Sequence, residues 1–252
     1  MRMGLKEDNI GAKFFKADDE DDFMDTENET FTVLSWREDP EATHSDWTIV
    51  VSTEADEDPR IFHVHKNILS VGPRSCMYFT ALFRTNLGVA EKEDSTSQIT
   101  LGNHEAEAFP IFLDFVYSHS GNLEAAATEN AVALRSLARY FRCRELIKSV
   151  NDFIQEDISE ATAAIYLRYS VECNDDKLEQ STRKLILEHY GQCSGLERLL
   201  VELFRSIVCS PDLDVIHHSD ASMDIAKYFL EIPYSLNACL LNELTSPLSV
   251  VV

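Results

Sequence analysis

The sequence is short of glycine, of basic residues and of long apolar runs, and each shortage removes a class of function. Eight glycines in 252 residues leave few places for the tight turns that cradle phosphates. There is no Gly-rich loop ending in Gly-Lys-Ser/Thr, no G-x-S-x-G, no H-E-x-x-H and no kinase motif set. No catalytic and no cofactor-binding residue is therefore assigned, and the chain does not read as an enzyme. Lysine and arginine number 22 against 44 aspartates and glutamates, a net charge of -22. Such acidity repels phosphate backbones and anionic lipid surfaces, which argues against nucleic acid and membrane as partners. No uncharged apolar run approaches the roughly 20 residues that span a bilayer. The opening MRMGLKEDNI lacks the apolar core of a signal peptide.

Cysteine is present but unpatterned. The six residues at 76, 143, 173, 193, 209 and 239 contain no C-x-x-C pair, so neither a zinc finger nor a disulfide framework is expected. His63 and His65 stand two apart on an expected strand and would share a face, yet no third or fourth ligand lies nearby, so no metal site is assigned. His189 with Cys193, and His217-His218, are read as incidental. Free thiols and the missing leader together predict a reduced compartment, the cytosol or the nucleus.

What is present is a globular pattern, 44% hydrophobic and 26% charged. Residues 1–45 begin with an acidic tail in which eight of the twelve residues from Asp18 to Glu29 are acidic. Self-repulsion predicts disorder there, and a solubilising segment is favoured over a docking tail for a basic partner. Phe31–Trp36 alternates weakly and is expected to add a strand at a sheet edge or a subunit interface. Trp47–Thr53 is β-branched and predicts a strand, joined as a hairpin through Glu54–Pro59 to a second strand, Arg60–His65.

The stretch Ile61–Phe83 changes from period two to helical spacing, with Gly72-Pro73 interrupting the helical part. Lys66–Ser70 predicts one helical turn and Ser75–Thr85 a helix. A polar loop over Asn86–Thr96 and a short strand over Gln98–Leu101 follow. Asn103 is placed to cap a helix that tolerates Pro110 near its start, and Thr128 is placed to cap another. Arg144–Asp157 predicts a further helix. Beyond it the pattern is helical throughout: Ser159 to about Cys173, Asp175–Tyr190, Gly195–Cys209, and a last helix from Ser219 or Asp220 to Leu230. Gly195–Cys209 has the cleanest stripe, with Leu196, Leu199, Leu200, Leu203, Phe204 and Ile207 on one face. The expected organisation is a mixed unit over 46–158, a helical unit over 159–231 packed against it, and an apolar tail over 232–252.

Asp46-Trp47-Thr-Ile-Val-Val, then Phe62-His-Val-His65-Lys66-Asn-Ile-Leu69, then Tyr78-Phe79-x-x-Leu82-Phe83 resembles a BTB/POZ domain. Ile99-x-Leu101, Ala108-Phe109 through Phe115-Val116-Tyr117, and Leu134 to Leu137-Ala138 follow in the order such a domain requires. The later helices, with Leu203-Phe204-x-x-Ile207-Val208, are similar to a BACK domain. The resemblance implies an α+β fold, a small mixed sheet flanked by helices, followed by an all-α BACK-like extension. Val71–Met77 departs from the family by extra length and a Gly-Pro break. Residues 30–45 show no clear amphipathic helix of the kind that long-form BTB dimers carry before the first strand.

The resemblance also implies a function. A protein–protein adaptor is expected, recruiting an unidentified protein substrate to a cullin-RING E3 ubiquitin ligase. The alternative is an oligomerising or scaffolding module, homo- or heteromeric, without a ligase role. Related proteins dock a cullin through a hydrophobic-x-Glu element after the second helix, and Val89-Ala90-Glu91 stands in that place. Val89 and Glu91 are thus the candidate partner-binding residues. Asp46, His65, Tyr78 and Phe79 are assigned to structure: Asp46 to capping local backbone, and His65 to a satisfied position near the first helix.

Overall fold

Alternation builds the sheet. A computed structural model describes residues 34–54, 58–84, 95–121, 123 and 125–213. In it Trp47–Ser52 (β1) sits between Arg60–Val64 (β2), which pairs with it antiparallel, and Thr96–Thr100 (β3), which pairs with it parallel. Trp47, Ile49 and Val51 of β1, Phe62 and Val64 of β2, and Ile99 of β3 are buried on one face, as period two requires. On the other face Val50 stands opposite Ile61, which is 58% exposed. The expected strand at Phe31–Trp36 falls partly outside the described residues, and Leu34–Trp36 belong to no strand. Trp36 is anchored differently: its indole N–H donates to Asp114 at 2.9 Å, and its ring meets Phe62 edge-on.

The helices follow in order: α1 Pro40–Thr43, α2 Lys66–Ser70, α3 Met77–Arg84, α4 Asn103–Tyr117, α5 Thr128–Tyr140, α6 Arg144–Asp157, α7 Ala163–Glu172, α8 Asp176–Glu188 and α9 Val201–Val208. Together with the sheet this is the α+β architecture expected, with a helical extension after α6.

Several helix ends depart from expectation, each for a local reason. Asn103 and Thr128 do not cap; they are the first residues of α4 and α5, after Gly102 and Ala127. Thr128 instead donates to Asp157 at 2.8 Å, and Asn130 accepts the Ala127 N–H. Pro110 lies in the middle of α4 rather than near its start. Its missing N–H frees the Ala106 carbonyl, which accepts from the Arg60 guanidinium at 3.2 Å. Ser159 begins a turn, closed by the Thr162 hydroxyl, and the helix starts only at Ala163.

The clean stripe over Gly195–Cys209 is not one helix. A 3-10 turn at Leu196–Arg198 and extended backbone at Leu199 and Leu200 precede α9. Leu196, Leu199, Leu203, Phe204 and Ile207 are still buried, whereas Leu200 is exposed. The expected helix at 219–230 lies outside the described residues.

Described residues all belong to one compact unit, Leu34–Val252. Its main core joins the inner sheet face to α3–α6 and continues through Tyr166 and Leu178 of α7 and α8. A second cluster gathers Ala163 and Leu167 with Ile186, Tyr190, Leu203 and Ile207. A buried ion pair joins α5 to the start of α8. Arg135, on α5, is hydrogen-bonded to Asp175, whose other oxygen caps α8 by accepting the Leu178 N–H at 3.3 Å. Arg139 reaches the same carboxylate at 2.9 Å.

Candidate protein-interaction surface

The region built around α2 and α3 begins with two polar residues that hold the backbone. Asp46 accepts the Lys66 N–H at 2.8 Å and so caps the start of α2. β2 ends at Val64, so His65 leaves the strand, and it does not share a face with His63: His65 is buried and His63 exposed. That separation removes the histidine pair as a metal site, and no cluster of potential ligands occurs among the described residues.

The His65 ring is held at both nitrogens. Its Nε2 lies 2.7 Å from the Thr43 carbonyl, which can only accept, so the hydrogen is on Nε2. In the neutral ring Nδ1 then accepts from the Tyr117 hydroxyl at 2.9 Å, while that oxygen accepts the His65 backbone N–H at 2.8 Å.

Burial pushes the Tyr117 hydroxyl up from 10.0 to about 12. The unfolded chain loses this proton first, so the stability it contributes is whole below pH 10.0 and is lost as pH rises through about 12. Tyr117→Phe is therefore expected to lower stability near neutral pH by about 1–3 kcal/mol, through the partners it strands. It should also flatten the alkaline decline in urea titrations. Tyr166 is raised in the same direction by burial and Asp157, so the decline is reduced rather than abolished. An unchanged alkaline slope would remove Tyr117 from this role.

Below α3 lies an aromatic base. Phe79, Phe109, Phe112 and Phe141 are all 0% exposed, and the Phe141 ring meets Phe79, Phe112 and Phe109 at centroid distances of 5.2, 4.9 and 5.8 Å. The segment entering α3 is stitched to the end of α5. The Met77 N–H donates to the Arg142 carbonyl at 3.4 Å and the Tyr78 N–H to the Phe141 carbonyl at 3.2 Å. Cys76 and Cys143 form an isolated antiparallel bridge.

α5 itself terminates in a left-handed residue, Arg142, at φ 54°. The Cys143 N–H donates back to the Ala138 carbonyl at 2.9 Å and the Arg142 N–H to the Arg139 carbonyl at 3.2 Å, a Schellman closure made without glycine.

This junction presents a surface. Met77 is 45% and Tyr140 50% exposed, and the Tyr78 ring packs beside both the Tyr140 and Phe141 rings at 5.8 and 5.5 Å. Arg142 and Arg144 are exposed on the turn that follows. Two large apolar side chains on a rigid aromatic base, edged by arginine in an otherwise acidic chain, form a patch of the kind that anchors protein partners. Of the residues singled out from sequence, Tyr78 lies in this patch and Phe79 directly beneath it. Val89 and Glu91 lie between α3 and β3, outside the described residues. Met77 and Tyr140 were missed because an exposed apolar residue on an amphipathic helix leaves no mark in the periodicity.

Comparison with known proteins agrees with this geometry. The family model of the BTB/POZ domain matches residues 37–158, which contain every element from α1 to α6. No curated protein matches the chain. The BTB/POZ domain is a protein-interaction module and mediates oligomerisation and partner binding. From the hairpin and the helical pair at α2–α3 to the aromatic base and its exposed face, residues 37–158 form a BTB/POZ domain.

Proposed function

We propose that this protein is a substrate adaptor of a cullin-RING ubiquitin ligase, working in the cytosol or nucleus and docking its cullin through the face that α3 and the α5–α6 turn present. The observation that carries the reading is the patch of exposed Met77 and Tyr140 with half-buried Tyr78 on a buried aromatic base. Val89 and Glu91, which follow α3 in the sequence, are the second element of the proposal: an aliphatic side chain to fill a partner pocket and a carboxylate to pair beside it. The helices after Ile158 play the part of a BACK-like extension, supporting the docking face from behind and carrying the element that recruits substrate.

The test is binding of the full chain to the N-terminal domain of a cullin by calorimetry. Met77→Asp, Tyr140→Asp and the pair Val89→Asp/Glu91→Lys should each weaken binding at least about tenfold while leaving the circular dichroism spectrum unchanged. Absence of binding by the wild-type chain would end the proposal. Self-association without a ligase role is the second reading, favoured by Ile61, 58% exposed on the edge strand β2. Light scattering that shows a dimer broken by Ile61→Lys, with no cullin binding, would establish it instead.

A further inference from the structure

Cys76 and Cys143 have no part in the function proposed above. Both are 0% exposed, and their backbones are paired in an antiparallel bridge between the start of α3 and the start of α6. The Met77 N–H bonds to the Arg142 carbonyl, which makes Cys76 and Cys143 a non-hydrogen-bonded pair. In such pairs the Cα atoms stand about 4.5 Å apart with the side chains on the same side. A disulfide requires about 4.4–6.8 Å, so a bridge of this type is compatible with the oxidised state.

We infer that Cys76 and Cys143 form a reversible dithiol–disulfide site whose oxidant is a small peroxide, with Cys143 as the thiol that is oxidised first and Cys76 as the one that resolves it. The assignment of roles follows from position. Cys143 is the N-cap of α6, where the helix favours a negative charge, and its thiol donates to the Arg74 carbonyl at 3.4 Å. Contact with the Cys76 thiol, aided by the Leu146 N–H, holds Cys143 below its ordinary range, whereas the same contact and burial raise Cys76. Burial excludes bulky thiol reagents and leaves hydrogen peroxide, which is small and uncharged, as the fitting oxidant.

The chemistry balances with that oxidant alone. Cys143 gives up its thiol proton and the thiolate attacks one peroxide oxygen; the O–O bond breaks, a sulfenic acid forms, and the departing hydroxide takes up that proton as one water. The Cys76 sulfur then attacks Cys143 Sγ, the S–O bond breaks, and the hydroxide departs with the Cys76 proton as a second water. Two thiols lose two electrons, one peroxide gains them, and a dithiol reductant reverses the result by exchange. The product would tie α3 to α6 across β3, α4 and α5, beneath the Met77–Tyr78–Tyr140 face. The inference stands whatever partner that face takes.

The experiment treats the full chain with hydrogen peroxide, blocks remaining thiols under denaturing conditions and maps the peptides by mass spectrometry. The expected result is a peptide pair linked through Cys76 and Cys143 and missing two hydrogens. It should be lost on dithiothreitol treatment and accompanied by a rise in Tm of about 5 °C or more. In Cys76→Ser the resolving thiol is absent, so Cys143 should accumulate as a sulfenic acid, trapped by dimedone added together with the denaturant. Should that variant fail to fold, the wild-type map decides alone. Recovery of both residues as free thiols while the exposed Cys209 is oxidised would overturn the proposal, as would a linkage of either one to another cysteine.

Discussion

Replacing Asp175 by alanine is expected to destabilise the chain by about 3–5 kcal/mol, measured by urea denaturation at neutral pH. Its carboxylate performs three tasks from a nearly sealed position, 6% exposed: it pairs with Arg135, it accepts from Arg139, and it caps α8. Arg139 is half exposed and can turn to water. Arg135 cannot: its side chain is 10% exposed, and its remaining neighbour is Asn151 at 3.5 Å. Loss of the aspartate strands a buried guanidinium, and that stranded charge, more than the broken bond, sets the size of the effect. The double variant Arg135→Met/Asp175→Leu should recover most of it, because a buried ion pair exchanged for apolar volume is close to neutral. A single-variant loss under about 1 kcal/mol would mean that water reaches the pair and the charge is never isolated.

The second large effect is expected at Phe141. Truncation to alanine should lower stability by about 3–5 kcal/mol, since it removes a buried ring and leaves a cavity that its neighbours fill only in part. In a chain of this length that corresponds to a Tm drop of roughly 10 °C by calorimetry. Phe141→Leu, which keeps most of the volume, should lose less than half as much. Phe141 is also the support on which Tyr78 and Tyr140 rest, at 5.5 and 4.9 Å. The alanine variant should therefore weaken binding at the exposed face even below its own Tm. If binding were untouched, the face would not depend on its aromatic base.

The strands and the helical periods were legible in sequence because each buries one face of a regular element, and burial at fixed spacing leaves a record. Trp47–Thr53 and Arg60–His65 alternate, and the structure puts Phe62 and Val64 inside as that alternation requires. Where a feature depends on two distant side chains, the record is silent. Arg135 interrupts an otherwise apolar helix face beside Leu134, which marks it as unusual, but nothing along the chain names Asp175 as its partner. Pro110 was misplaced for a related reason: its tolerance in mid-helix depends on Arg60, which belongs to a strand.

The end of β2 was misread by one residue. Alternation carries no signal for the residue at which a strand ends, and His65 is that residue's neighbour. The stripe from Leu196 to Ile207 shows the opposite limit, since a 3-10 turn followed by a helix can bury nearly the same residues as one continuous helix. As for the surface, Tyr78 was found by resemblance, while Met77 and Tyr140 became visible only once α3 and the end of α5 stood side by side.

The core that begins in the sheet does not stop where the BTB/POZ match stops. Tyr166 and Leu178 lie beyond residue 158 and belong to the same cluster as Trp47 and Phe109. The Tyr166 hydroxyl donates to Asp157 at 2.8 Å, the carboxylate that also receives Thr128. The portion of chain recognisable as a transferable domain is thus shorter than the portion that shares its hydrophobic core. A fragment cut after Ile158 would retain every signature of the family and give up part of its own interior, with Arg135 turned towards a place no carboxylate fills.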